Sequence, residues 1–159
     1  MAGVLFTIGY QGASVAEVIA ALEAAGVATL ADVRALPWSR KAGFAKPVLA
    51  KSVEAAGLRY IHIEALGNPA KLHREAAPPG ADWRALMAQH LDSAAARAAL
   101  AAAAVLSERG PLCLMCYEAD PAHCHRLIVA ERLAPMLGAE IRHLHPAPSD
   151  ALPLFGGKA

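Results

Sequence analysis

The fold class this sequence predicts is α/β: a single domain with a mostly parallel sheet of about five strands and helices on both faces. Two observations predict it. Short apolar runs ending at glycine, proline or a charged residue alternate along the chain with segments of helical period. The connections between them are short, which favours βα units over separate helical and β layers. A near-repeat supports this: Glu23-Ala-Ala-Gly-Val-Ala-Thr-Leu and Glu54-Ala-Ala-Gly-Leu-Arg-Tyr-Ile both read helix, glycine, strand. No third copy follows, so these are two successive units and not a solenoid.

In chain order, Val4 to Ile8 is a first strand ending at Gly9. Ser14 and Glu17 form a capping box for a helix whose apolar face is Val15, Val18, Ile19 and Leu22, with Gly26 at its end. A second strand, Ala28 to Val33, ends in Asp32-Val33-Arg34, and Pro37 prevents continuation. Ala35 to Lys46 reads as a loop carrying Trp38, Ser39, Arg40 and Lys41. Pro47 opens a helix that Gly57 closes, and Leu58 to Ile63 is the third strand, with Tyr60, His62 and Glu64 on one face. Leu66 to Ala81 is a long irregular connection containing Lys71, His73 and Arg74. Helices are expected at about Asp82 to His90 and Ser93 to Ser107, a buried strand at Leu112 to Tyr117, and a last strand at Glu140 to Leu144. Asp120-Pro121 is a helix-start signal, followed by Leu127, Ala130, Leu133, Ala134 and Leu137 at helical spacing; Pro135 should kink that helix or end it early. The domain is expected to span 1–145, with 146–159 a loose tail.

Composition bounds the function. At 159 residues, 56% hydrophobic and 18% charged, the chain can bury a full core. A net charge of +1 supplies no global field for nucleic acid or an acidic membrane. Three cysteines, an odd number, argue against a disulfide scaffold and for a reducing cytoplasm. Nothing resembles a signal peptide, and the alanine-rich stretch from Ser93 to Leu106 falls short of the ~20 residues of a membrane span. The expectation is a cytoplasmic protein that does not enter a membrane.

Chemistry concentrates in Cys116-x-Glu118-x-Asp120-Pro121-x-x-Cys124-His125-Arg126. A strand-to-helix junction in an open α/β sheet is where ligands bind. Together with Thr7-Ile8-Gly9, Asp32-Val33-Arg34, Pro37, Ser39-Arg40, Tyr60-x-His62 and Leu66-Gly67, this block resembles, in the same order, the bacterial and archaeal family known as domain of unknown function 488. The resemblance runs from about Leu5 to His145. It implies a cytoplasmic α/β domain and carries no established reaction. Tyr10 stands where a histidine is common in that family, and Asn68 where a second glycine is common. A weaker, architectural likeness is to rhodaneses, which share an Asp-x-Arg strand end; their cysteine loop with glycine and arginine is absent here, and shared architecture does not transfer function.

Three chemistries are open to the block. In the first, a helix N-terminus with Arg34, Arg126, Arg40 and Lys41 holds a phosphate or carboxylate. The plainer alternative is that Asp120 caps the helix and Arg34 bridges Glu118 or Glu64. In the second, Cys124 beside His125 and Arg126 is a thiolate nucleophile; alternatively, sharing a helix face with Leu127 and Ile128, it is an inert core thiol. In the third, Cys113, Cys116, His123, Cys124 and His125 bind a metal, but residues three apart on a strand point to opposite faces, which makes Cys113 core. Glu118 is either a general acid or base or a salt-bridge partner. His62, His143 and His145 read more simply as structural.

The expected site is therefore Glu118, Cys124 and His125 as catalytic groups, with Gly9, Tyr10, Asp32, Arg34, Arg40, His62, Cys116 and Arg126 in binding. No metal or cofactor is expected. The expected function is a small enzyme or ligand-binding protein with a phosphate-type anion site at the strand ends. The alternative is a non-catalytic nucleotide, nucleic-acid or protein-interaction module using the Ser39 to Lys46 and Lys71 to Arg74 loops.

Overall fold

Strands that must be covered on both faces read as unbroken apolar runs, and strands at a sheet edge alternate. The computed structural model, which describes residues 3–69, 80 and 82–148, sorts its strands that way. β4 (Leu112–Cys116) and β2 (Thr29–Asp32) are buried at every position, and β1 (Gly3–Gly9) from its third residue onward. β3 (Arg59–His62) and β5 (Ala139–Leu144) alternate. The sheet order is β3-β2-β4-β1-β5, and every pairing is parallel. Register aligns the carboxyl ends: Gly9 lies opposite Cys116, while Asp32 lies opposite both Met115 and His62.

Alternate residues of the strands feed two cores. On one face α1 (Val15–Ala24) and α2 (Lys46–Ala55) bring Val18, Leu22, Leu49 and Val53 against Phe6, Ile8, Leu30, Cys113 and Met115. On the other, α3 (Trp83–Leu91), α4 (Ala94–Ser107) and α5 (His125–Leu137) cover Leu5, Ala31, Leu112 and Leu114. β2 and β4 are neighbours, yet the chain leaving β2 crosses the first face and the chain leaving β4 crosses the second. Their loops diverge, and a crevice opens between their carboxyl ends.

The capping box forms as the sequence predicts: Ser14 Oγ accepts from the Glu17 amide, and Glu17 Oε1 accepts from the Ser14 amide. One local expectation is corrected. Asp120-Pro121 starts only a 3₁₀ turn, Pro121–His123; Cys124 then returns to extended backbone and α5 begins at His125. Pro135 does not end α5, which runs on to Leu137. It forfeits a single backbone bond within the last turn, and Gly138, at φ +61°, caps the end in the left-handed conformation. Among the described residues no helix is long and apolar enough to cross a membrane. Lys71, His73, Arg74 and the tail from residue 149 lie outside the described residues.

Candidate functional site

The end of β2 carries a carboxylate with no exposure, Asp32, and burying a charge is costly unless it is paired and hydrogen-bonded. Arg34 meets that need from two residues away. Its Nε and Nη2 donate to Oδ1 and Oδ2 of Asp32 at 2.8 and 2.7 Å, and its backbone N–H donates to Oδ1. Tyr60 donates its hydroxyl to Asp32 Oδ2 from the neighbouring strand. Arg34 Nη1 donates to Tyr10 Oη and to the Phe44 carbonyl, so four of the five guanidinium N–H groups are used within the protein. Tyr10 stacks on Phe44 with centroids 4.2 Å apart and meets the edge of Tyr117. His62 Nε2 donates to the Arg34 carbonyl at 2.7 Å. Burial alone would lower the Arg34 pKa, but the hydrogen bonds and charge of Asp32 drive it up. Burial, and then the bond to Asp32, drive up that of Tyr60. The bridge to Glu118 or Glu64 expected for Arg34 is thus replaced by a tighter local one.

Arg126 is also consumed within the protein. It is fully buried, with Nε donating to Thr7 Oγ1 at 3.1 Å and the two terminal nitrogens donating to the carbonyls of Glu118 and Ala119. It ties the loop after β4 down onto β1. Thr7 Oγ1 also hydrogen-bonds His143 Nδ1, 2.6 Å away on β5. The Glu118 carbonyl passes so close to β1 that a Cβ on Gly9 would lie 1.8 Å from it. Gly9 is there for that approach. Asp120 accepts from the Ala122 amide and pairs with His123, and the amide bond chiefly holds its carboxyl below the usual range. That cap serves the 3₁₀ turn Pro121–His123, and no side chain caps the start of α5.

The remaining groups converge differently. His125 Nε2 lies 2.7 Å from the Val33 carbonyl, which only accepts, so Nε2 carries the proton and the Nδ1 lone pair faces inward. There it meets Cys116 Sγ at 3.6 Å and Cys124 Sγ at 3.9 Å. Glu118 Oε1 lies 3.6 Å from Cys116 Sγ on the outer side. Cys124 is buried behind Cys116; the bond to the Cys116 thiol first, and then burial, raise its pKa. Cys113 faces the opposite core, and burial raises its thiol too.

A cleft of roughly 660 Å³ opens over this group, in the crevice between β2 and β4. Of the residues expected from sequence it gathers Tyr10, Arg34, Arg40, Cys116, Glu118 and His125, and adds Leu36, Trp38, Ser39 and Tyr117. Cys124 and Arg126 lie beneath it, and Gly9, Asp32 and His62 support its walls. Gly67 packs against Ala35 so closely that a Cβ would come within 2.4 Å of the Ala35 Cα, bracing the wall from outside. Sequence reasoning passed over Tyr60 and Thr7 as partners; the alternation that sets Tyr60 and His62 on one face of β3 was the available signal.

Fold and site together define a parallel α/β domain with a cysteine–histidine cluster at the divergence of two central strands. The chain belongs to the family described as Domain of unknown function DUF488, which matches residues 14–133. No curated protein and no solved structure matches it.

Proposed function

We propose that the chain is a small enzyme that works in this cleft on an anionic ligand with a flat apolar body. The observation that carries the reading is the convergence, within one cleft, of a Cys116–His125–Glu118 floor and a rim bearing Arg40, Trp38 and Tyr117. Trp38 is 65% exposed and Leu36 54%, an uncommon outlay of apolar surface for a loop that has a core available to it. Arg40 is the arginine of the cleft left to a ligand, because Arg34 and Arg126 spend their donors inside the protein. Ser39, whose Oγ accepts from the Lys41 amide, holds the turn that presents it. Glu118, at the cleft wall, is placed to exchange a proton.

Isothermal titration with inorganic phosphate and with phenyl phosphate tests this. Phenyl phosphate should bind more tightly than phosphate, and Trp38→Ala should abolish that preference. Arg40→Ala should weaken both by about tenfold, the lower end of a lost charge-assisted bond. Identical isotherms for wild type and Arg40→Ala would remove the anionic reading. The same exposed Leu36 and Trp38 favour a second reading, a binding module without catalysis. Nucleic-acid binding through this loop would fall steeply with added salt, whereas a compact pocket would respond less.

A further inference from the structure

We infer that Cys116, Cys124 and His125 form a binding site for a soft divalent cation, zinc(II) by its chemistry, with an open coordination position facing the cleft. The site stands whether or not the cleft takes the anionic ligand proposed above.

The ligand atoms of these three buried residues all lie within 4.8 Å of one another. A tetrahedral zinc with bonds of ~2.3 Å to sulfur and ~2.0 Å to nitrogen holds the two ligand atoms ~3.5 Å apart. The observed Sγ to Nδ1 separations are 3.6 and 3.9 Å. Neighbouring residues rarely ligate together, because their side chains diverge. Here Cys124 is extended, at φ −129° and ψ 140°, and His125 is the first residue of α5, and that change of backbone direction brings both side chains inward. The Val33 carbonyl receives the far N–H of His125, which is the outer bond that fixes a metal-ligating histidine in the right tautomer.

Charge points the same way. Two thiolates, a neutral imidazole and a dication sum to zero, the condition under which buried ionic groups are tolerable. Three protein ligands with the fourth position open is the arrangement of a catalytic zinc, not a structural one. Cys116 and His125 both line the cleft, so that position is reachable by a water or by a ligand oxygen. Glu118, 3.6 Å from Cys116, stands beside it.

Cobalt(II) titration of the full reduced, metal-free chain tests the site. The expected result is one equivalent bound, sulfur-to-cobalt charge-transfer absorption, and the intense visible bands of a four-coordinate ion. Proton release should accompany binding. Zinc should displace the cobalt and protect two of the three thiols from alkylation. Cys113→Ala should behave as wild type, while Cys116→Ser and Cys124→Ser should each lose about half of the charge-transfer intensity or all of it. Folded wild-type protein that gives no charge-transfer band overturns the inference, as does a folded Cys116→Ser/Cys124→Ser variant that keeps the band. Phosphate titration is read separately, so failure here leaves the anionic reading standing, and the reverse.

Discussion

Two halves of one sheet rim behave in opposite ways. At the end of β2, Asp32, Arg34, Tyr10 and Tyr60 form a buried network of short bonds in which nearly every donor has an acceptor. At the end of β4, the sulfurs of Cys116 and Cys124 come within 3.6 and 3.9 Å of His125 Nδ1, in long and weak contacts. A saturated network holds shape and has little left for a ligand. The thiol and imidazole cluster is held by weaker sulfur contacts that a ligand can replace, and the saturated half holds the wall beside it. The difference teaches that charge density alone is a poor guide to a site. Three arginines mark this region, and two of them are fasteners.

The comparison can be broken most severely at the clamp. Asp32→Ala should cost about 3–5 kcal/mol, because it leaves a buried guanidinium unpaired, and urea denaturation would register it as a fall in midpoint at constant slope. Arg126→Ala should cost on the order of 3 kcal/mol, since two loop carbonyls and Thr7 lose their donor. A variant with wild-type stability would mean that the loop after β4 is held by something else. Gly9→Ala should cost about 2–3 kcal/mol, the upper range for overpacking, by forcing the Glu118 carbonyl off β1. In the soft half the effects shrink: in metal-free protein Cys124→Ser should change stability by under ~1 kcal/mol, the hydroxyl finding His125 Nδ1 as acceptor. Timed alkylation sharpens the contrast further, with Cys116, at the cleft, labelling before Cys113 or Cys124.

The smallest effect is a pH slope. Burial, and then the charge of Arg126, hold His143 below its ordinary pKa. The unfolded chain therefore binds a proton that the folded chain refuses. Stability is fully present above the unfolded value of about 6.5 and declines as pH falls below it, until the folded group also protonates. His143→Gln should make that decline shallower in denaturation curves taken from pH 7 to 5. An unchanged slope would place the protonation elsewhere.

Much of the fold was legible in residue pattern. The alternation of strand and helix, the capping box and the glycine-closed helices all rest on local rules. Strand order was not read, although the wholly apolar run at Leu112 to Cys116 and the alternating Arg59 to His62 carry the distinction between centre and edge. The start of α5 was misplaced because Asp-Pro signals any turn that begins with a capped amide, and only the neighbouring packing decides whether the turn continues. In the site, the block from Cys116 to Arg126 announced that its residues would be close, but not what each would do. Arg34 found Asp32, a partner two positions away that strand alternation makes easy to overlook. His125 is oriented by a backbone carbonyl, and backbone acceptors leave no trace in a sequence. The order of the two thiols, Cys116 in front and Cys124 behind, is likewise set by packing alone.

Arg126 and His125 are consecutive, yet one reaches Thr7 on β1 and the other the Val33 carbonyl past β2. Successive positions on a helix point about 100° apart, and here that angle spans the width of three strands. The first turn of α5 thus acts as a key with two cut faces, and its rotational setting is fixed from both sides. A residue inserted among the mostly exposed positions 119–123 would lengthen a surface turn. The same insertion between 125 and 126 would change the angle between the two side chains, so that only one of them could keep its partner. The spacing of this block is therefore tolerant in its middle and rigid at its end, a property that a deletion and insertion series across 119–126 would read out directly.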